Sequence, residues 1–315
     1  MKQRRALPAI DTAVAGSHGV SRDGQAISYN RAPAADIAPW IGRLYATKID
    51  LLPGGRLDCG LLNDTACVRI QLRGDWRAET ATGAMHLGPA ALLFGPQTRR
   101  MPISVAGNFI SIGLALRPGA GAVMNAPRVV DYVDQIVDLA ALRTQAPNWL
   151  EQFALDAEPE TWVLQLEAGV RRRLDETGWV QPDPVVAAFE ALSFTDPNAS
   201  VSNFARQHGV ERRTLERVIR RAFGMSPKQV LRRARALDMA SHLRGVADQA
   251  EADDLALRYY DQSHLIREFS ELFGMSPRQF VSTPQPILTL ALESRQARRL
   301  EALERLTPGA LRPWQ

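Results

Sequence analysis

The spacing of apolar and polar positions changes near residue 120, and that change divides the chain. Before it, Val68-Arg69-Ile70-Gln71-Leu72-Arg73 alternates strictly, and Ile110, Ile112, Leu114 and Leu116 recur at every second position with small residues between them. A period of two puts alternate side chains on opposite faces of a strand. Leu92-Leu93-Phe94 is a short apolar run closed by Gly95-Pro96. Turn-forming clusters punctuate the segment at Pro53-Gly54-Gly55, Gly74-Asp75, Gly88-Pro89 and Pro118-Gly119. Short strands between such turns predict an antiparallel barrel or sandwich over about residues 40 to 120.

Beyond residue 120 the period lengthens to that of a helix. Val129 to Leu142 has helical spacing, and so does the Trp162, Leu166, Val170, Leu174 series. Gly178 through Pro184, with prolines at 182 and 184, predicts a linker. Val185 to Phe280 reads as a set of short helices. A helical tail follows from Ile287 to Leu306, rich in Leu, Glu and Arg, and breaks at Thr307-Pro308-Gly309.

The helical half contains an internal repeat. Phe223-Gly224-Met225-Ser226-Pro227-Lys228-Gln229 recurs fifty residues on as Phe273-Gly274-Met275-Ser276-Pro277-Arg278-Gln279. At the same offset Leu215 matches Leu265, Arg217 matches Arg267 and Ile219 matches Phe269. Apolar residues four apart share one helix face. Gly then stops the helix and Ser-Pro starts the next. Upstream of the first copy, Val201, Phe204 and Ala205 form the apolar face of a short helix, and Gly209 permits a tight turn. Helix, turn and second helix make a helix-turn-helix, whose second helix enters the DNA major groove. Leu215, Val218 and Ile219 point inward. Arg212, Arg213, Thr214, Glu216, Arg217 and Arg220 are left as candidate DNA contacts, with Gln262, Ser263, His264 and Arg267 in the second unit. Arg232 and Arg233 are expected to face phosphate or solvent.

Charge agrees with that reading. The 315 residues carry a net charge of only +4, yet Arg206 to Arg235 holds ten Lys/Arg against Glu211 and Glu216. A cation cluster of this kind in an otherwise near-neutral chain marks a polyanion partner. Length suggests about two domains, at roughly 100–200 residues each. Hydrophobic residues at 45% and charged residues at 23% exclude a wholly disordered chain. No apolar run is long enough to span a membrane. Two cysteines are too few for a disulfide framework, which together with the absence of an apolar leader predicts a cytoplasmic protein.

On these motifs residues 184–283 resemble the DNA-binding domain of the AraC/XylS transcription regulators. The matching strings are Phe204-Ala205-x-x-x-Gly209-Val210, Arg213-x-Leu215-x-Arg217 and the two Phe-Gly-Met-Ser-Pro elements, with Asp261-Gln262-Ser263-His264-Leu265-x-Arg267-x-Phe269 in the second half. The resemblance implies two helix-turn-helix units joined by a long helix, about Lys228 to His242. It departs at Glu211, where members usually carry Ser, and at Arg258, where the second unit lacks the expected Gly.

The segment before residue 140 resembles the cupin-like sensor domains that precede such DNA-binding domains, through Leu52-Pro53-Gly54-Gly55-Arg56-Leu57-Asp58 and Phe94-Gly95-Pro96-Gln97-Thr98. The expected fold is therefore α+β. A cupin-like antiparallel β barrel (1–140) precedes a helical linker (141–183), an all-α DNA-binding domain (184–283) and a helical tail (284–315).

His18 and His86 lack metal-ligand spacing, so neither metal nor cofactor is expected. Arg69, Gln71 and Arg73 share a strand face by alternation. They form either a solvated face or a pocket for a small-molecule or anionic nucleotide effector. Arg69-x-x-x-Arg73 also resembles the guanine-clamping motif of cyclic-dinucleotide receptors. Cys59 and Cys67 read as small buried hydrophobes.

The implied function is a sequence-specific, effector-responsive activator and not an enzyme. Its implied partners are double-stranded DNA, RNA polymerase and a second copy in a homodimer. The alternatives are a DNA-acting alkyl-transfer or thiol-sensing protein, and an architectural DNA binder without an effector.

Overall fold

The computed structural model describes residues 7–16, 18–122, 124, 126–142, 149–248 and 263–315. No helix among them is long and apolar enough to cross a membrane. The N-terminal half is an antiparallel sheet of nine strands: β1 (Val14–Gly16), β2 (Tyr29–Arg31), β3 (Ile41–Leu51), β4 (Arg56–Leu61), β5 (Cys67–Thr80), β6 (Gly83–Leu87), β7 (Ala90–Phe94), β8 (Met101–Leu116) and β9 (Ile136–Asp138). The order is β1-β3-β8-β5-β7-β9, with β2 paired to β3, β4 to β8 and β6 to β5. This path has two free ends, so the sheet is not the closed barrel that the strand pattern predicts. The end strands β1 and β9 are three residues each and do not pair with one another.

The two faces of the central strands differ in chemistry. On one face the register aligns Leu44, Leu114 and Val68 in one row and Ala46, Ile112 and Ile70 in the next. Helix α1 (Pro159–Thr177) covers this face with Trp162, Val163, Leu166, Val170 and Leu174, the helical series expected from the sequence. On the other face three rows run Arg43·Ala115·Cys67, Tyr45·Gly113·Arg69 and Thr47·Ser111·Gln71. This polar face is buried as well.

What covers it is the helical half. Helix α2 is Pro184–Thr195, α3 Val201–Gln207, α4 Arg212–Phe223, α5 Pro227–Leu243, α6 Ser263–Phe273, α7 Pro277–Ser282 and α8 Pro286–Ala302. The first three, with the start of α5, close a core of their own around Phe189, Phe204, Leu215, Ile219, Phe223 and Leu231. Later helices have no separate core. Leu237, Phe269, Phe273, Phe280, Leu288, Leu292 and Leu300 form one continuous apolar cluster with Leu57, Trp76, Phe94 and Phe109 of the sheet. Arg233 of α5 is buried against the sheet domain, where its guanidinium donates to the carbonyls of Gln97 (2.9 Å) and Asp64.

One predicted helix is absent. Val129 to Leu142 folds as two 3-10 turns, Val129–Asp131 and Ala140–Leu142, flanking β9. Ile136–Asp138 pairs with β7 instead of continuing a helix, and Asp134 takes a left-handed φ of 57° just before it. Sheet pairing has overridden the local helical spacing.

Gly113 sits at the centre of the buried polar face. A Cβ there would lie 2.3 Å from the Val68 carbonyl oxygen and 2.5 Å from Tyr45 Oη. Backbone cannot yield as a flexible side chain would. Gly113→Ala is expected to destabilise the protein by roughly 1–3 kcal/mol, as overpacking does. Urea unfolding of the two proteins measures it, and an unchanged midpoint would refute the packing described.

Candidate nucleic-acid interface and ligand cavity

Each helix-turn-helix repeat has the local geometry its sequence requires. In the first, the Ser200 side chain caps α3 by accepting from the Asn203 N–H, and Gly209 turns the chain at φ 61°. Glu211 occupies the N-cap position of α4 without a side-chain cap bond, leaving its charge near the positive end of the helix dipole. Gly224 ends α4 at φ 75°. Ser226 then forms a capping box with Gln229 at the start of α5, with Pro227 in the first turn. The second repeat copies this device. Gly274 has φ 69°, and Ser276 forms a capping box with Gln279 at the start of α7.

Helix α4 buries Leu215 and Ile219 and leaves Arg212, Arg213, Glu216, Arg217 and Arg220 exposed, with Thr214 half-buried. Arg212 pairs with Glu216 at 3.3 Å, one helical turn on. Arg213, Arg217 and Arg220 form no ion pair among the described residues and lie at spacings of four and three, on one face. On α6, Ser263, His264 and Arg267 are exposed. Arg267 donates to the Ser263 carbonyl at 3.1 Å, and His264 Nδ1 lies 3.7 Å from Glu268. Gln262 and Arg258 lie outside the described residues.

Of the two arginines expected to face phosphate or solvent, Arg233 does not, and Arg232 is partly exposed but held in ion pairs. Arg233 is buried as described, and burial pulls its pKa down to about 10. Arg232 pairs with Glu268 at 3.6 Å and with Glu271, which ties α5 to α6. Arg235 pairs with the same buried Glu268 at 3.1 Å. These cations position the second recognition helix. Nothing in the heptad-free spacing of α5 distinguished them from Lys228 on its exposed side.

Residues 204–283 match the family model of a helix-turn-helix domain. The C-terminal region therefore carries a helix-turn-helix domain. The chain is a DNA-binding transcription regulator. No curated protein matches it in sequence. Among solved structures it is similar to ToxT from Vibrio cholerae, at 8% identity over 76% of this chain and 97% of that one, with a TM-score of 0.44. ToxT of the same organism with an unsaturated fatty acid bound matches at 8% identity over 87% and 96%, with a TM-score of 0.40. The AraC-like transcriptional activator CuxR matches at 16% identity over 60% and 79%, with a TM-score of 0.25.

Away from its DNA-binding domain the regulator holds a cavity of about 80 Å³. That is several times the space one water needs, so a compact organic molecule fits. Its walls are the buried polar face of β3, β5 and β8 on one side and α8 on the other. Arg69 is 7% exposed, with its guanidinium carbon 5.6 Å from the Tyr45 and Trp76 ring centroids and 5.0 Å from that of Phe94. No carboxylate among the described residues forms an ion pair with it. The other three cavity arginines are all paired: Arg43 with Glu301 at 2.7 Å, Arg295 with Asp64 at 3.1 Å and Asp238 at 2.5 Å, and Arg298 with Glu190. Arg69 Nε, Tyr45 Oη, Ser111 Oγ, Trp76 Nε1 and both amide atoms of Gln71 are buried without hydrogen-bond partners. Buried polar atoms without partners are costly, so their clustering marks a place for a ligand or ordered water.

The expected trio is thereby split. Arg69 lines the cavity, and Gln71 shares its face without lining it. Arg73 does not share that face. A bulge advances β5 by an extra residue between Gln71 and Arg73, so Arg73 opposes Ile110 and is exposed. Arg69 and Arg73 therefore do not converge as a guanine clamp would require. Tyr45, Ser111 and the α8 residues escaped the sequence reading. The available signal was the polar set Arg43, Tyr45 and Thr47 at every second position of a strand. Both cysteines are buried, and burial pushes each thiol pKa up, away from the reactive thiolate.

Asp64 stands where the cavity meets α5. Burial alone would raise its carboxyl pKa, but the Arg295, Arg298 and Arg233 guanidiniums outweigh burial and hold it below the ordinary 3.8. A depressed carboxyl contributes stability that is complete above the unfolded value and is lost as pH falls through the folded value. Acidification below pH 3.8 is therefore expected to lower stability more in the wild type than in Asp64→Asn. Thermal unfolding from pH 5 down to pH 2 is the check, and equal acid sensitivity in the two proteins would contradict it.

Proposed function

We propose that the protein is a sequence-specific transcription activator that reads DNA through α4 and α6 and responds to a compact organic monoanion bound beside Arg69. The observation that carries the DNA reading is the stripe of exposed, unpaired guanidiniums at Arg213, Arg217 and Arg220. Thr214, Arg212 and Glu216 flank it, and Ser263, His264 and Arg267 present the second unit. Gln262 joins them by its place in the motif. Arg forks suit guanine edges and phosphates alike. A single uncompensated guanidinium in the cavity favours a ligand with one negative charge, and the Tyr45, Trp76 and Phe94 rings around it favour an apolar body.

The sheet acts as a cupin-like sensor, opened along its strand order and roofed by helices. Its free strand edges support pairing with a second copy, so the regulator binds as a homodimer in the cytoplasm and recruits RNA polymerase. The pushed-up thiol pKa values of Cys59 and Cys67 favour this reading over alkyl transfer or thiol sensing.

Arg213→Ala and Arg217→Ala are each expected to weaken specific binding by roughly 1–3 kcal/mol and relax preference at one or two base pairs. Arg220→Ala is expected to weaken all sequences alike and lower the salt slope by about one. Binding-site selection and gel-shift titration on the full-length variants decide it. An unchanged selected motif in both Arg213→Ala and Arg217→Ala refutes the placement of α4 in the major groove.

A further inference from the structure

The helix that follows the DNA-binding domain does not trail from it. Ile287, Leu290, Ala291, Ser294, Arg295 and Arg298 recur at alternating steps of three and one, which is one face of α8, and all six line the Arg69 cavity. Around that face the helix is anchored to the sheet, to α2, to α5 and to the C-terminal residues. Glu301 accepts from Arg43 of β3 at 2.7 and 2.8 Å. Glu293, fully buried, accepts from Asn30 of β2 at 2.5 Å and from Trp314 Nε1 at 3.1 Å. Arg298 pairs with Glu190 of α2. Arg295 joins Asp64, before β5, to Asp238 of α5.

We infer that α8 is the selecting wall of the anion cavity, with Ala291 and Ser294 setting the size of the molecule admitted beside Arg69 and Arg295 carrying the position of the wall to α5. This rests on the anion cavity proposed above and adds to it a wall from outside the sensor. The face itself runs from apolar to polar: Ile287 and Leu290 belong to the same apolar cluster as Phe109, and Ser294, Arg295 and Arg298 follow toward the other end. A ligand lying along α8 thus meets apolar and polar groups in order. Ala291 is half-buried at the middle, where a larger side chain takes the ligand's space. A shift of α8 necessarily strains the Arg295 bridge, because the guanidinium contacts carboxylates of both the sheet domain and the helix that joins the two helix-turn-helix units.

Two measurements on the full-length protein test the wall. In the first, thermal unfolding is followed in acetate, butyrate and cyclohexanecarboxylate for the wild type, Arg69→Met, Ala291→Val, Ala291→Phe and the exposed-tail control Leu311→Ala. The acids are expected to stabilise the wild type and the control, and none to stabilise Arg69→Met. The apparent affinity for cyclohexanecarboxylate is expected to fall at least about tenfold in Ala291→Phe, and less in Ala291→Val, with acetate affected least. Equal affinities for all three acids in the wild type and both Ala291 variants overturn the wall. Ala291→Val keeps the test open if the larger substitution prevents folding.

In the second, hydrogen exchange is read without ligand. Amides of α8 are expected to exchange as slowly as those of β3 and β5, and Glu301→Gln to accelerate α8 together with the Asp238 end of α5. Free exchange of α8 beside protected strands overturns the wall whatever the acids do. A wild type that no acid stabilises, with α8 slow, overturns the anion cavity and supports α8 as an integral wall.

Discussion

The buried guanidinium of Arg295 holds this molecule together at its most demanding point. Removing a cation from water is costly unless its partners are charged and well placed. Here Asp64 and Asp238 supply two carboxylates from two regions of the chain, and both are needed where Arg295 sits. Asp64 also accepts from Arg233 through its carbonyl, and Asp238 lies 3.9 Å from Arg299. The three groups therefore constrain one another: α8 must lie on the sheet, and α5 must lie on α8. Arg233 and Arg43 repeat the constraint on either side, with carbonyls and Glu301 as partners.

From this follows an unequal division of the DNA-binding region. The first helix-turn-helix unit owns its core, in which Phe189 packs edge-on against Phe204 and Phe223. The second shares its core with the sheet domain through α5 and α8. The Arg100 N–H also donates to the Leu272 carbonyl near the end of α6 at 2.6 Å. The first recognition helix packs on its neighbours in sequence and, at its C-terminal end, on the Val129–Asp131 turn, whereas the second shares its core with the sheet.

The same constraint accounts for the polar interior. A sheet that faced water would leave Tyr45, Arg69, Gln71 and Ser111 hydrated. Once α8 is held over them they are buried, and of the four Tyr45 and Arg69 line the cavity. Gly113 has no side chain where Tyr45 and Arg69 flank it across the strands, which lets the Tyr45 hydroxyl lie against β8.

The sequence by itself determined the local elements. Phe-Gly-Met-Ser-Pro at a fifty-residue offset specified two helix stops and two capped starts, because left-handed Gly and Ser-Pro caps act within a few residues. The outward arginines of α4 were legible for the same reason, since helix periodicity assigns faces without reference to the rest of the chain. Strand alternation placed Arg69 and Gln71 together. It failed at Arg73, because the bulge that reverses the face depends on the register with β8. It also could not say which sheet face was solvated, since both faces are covered by helices from later in the chain. Val129 to Leu142 carried helical spacing, yet its middle was claimed as a strand by the edge of β7. Arg233 looked like a surface cation, and only the tertiary structure made it internal, because the carbonyls that partner it come from residues far away in the sequence.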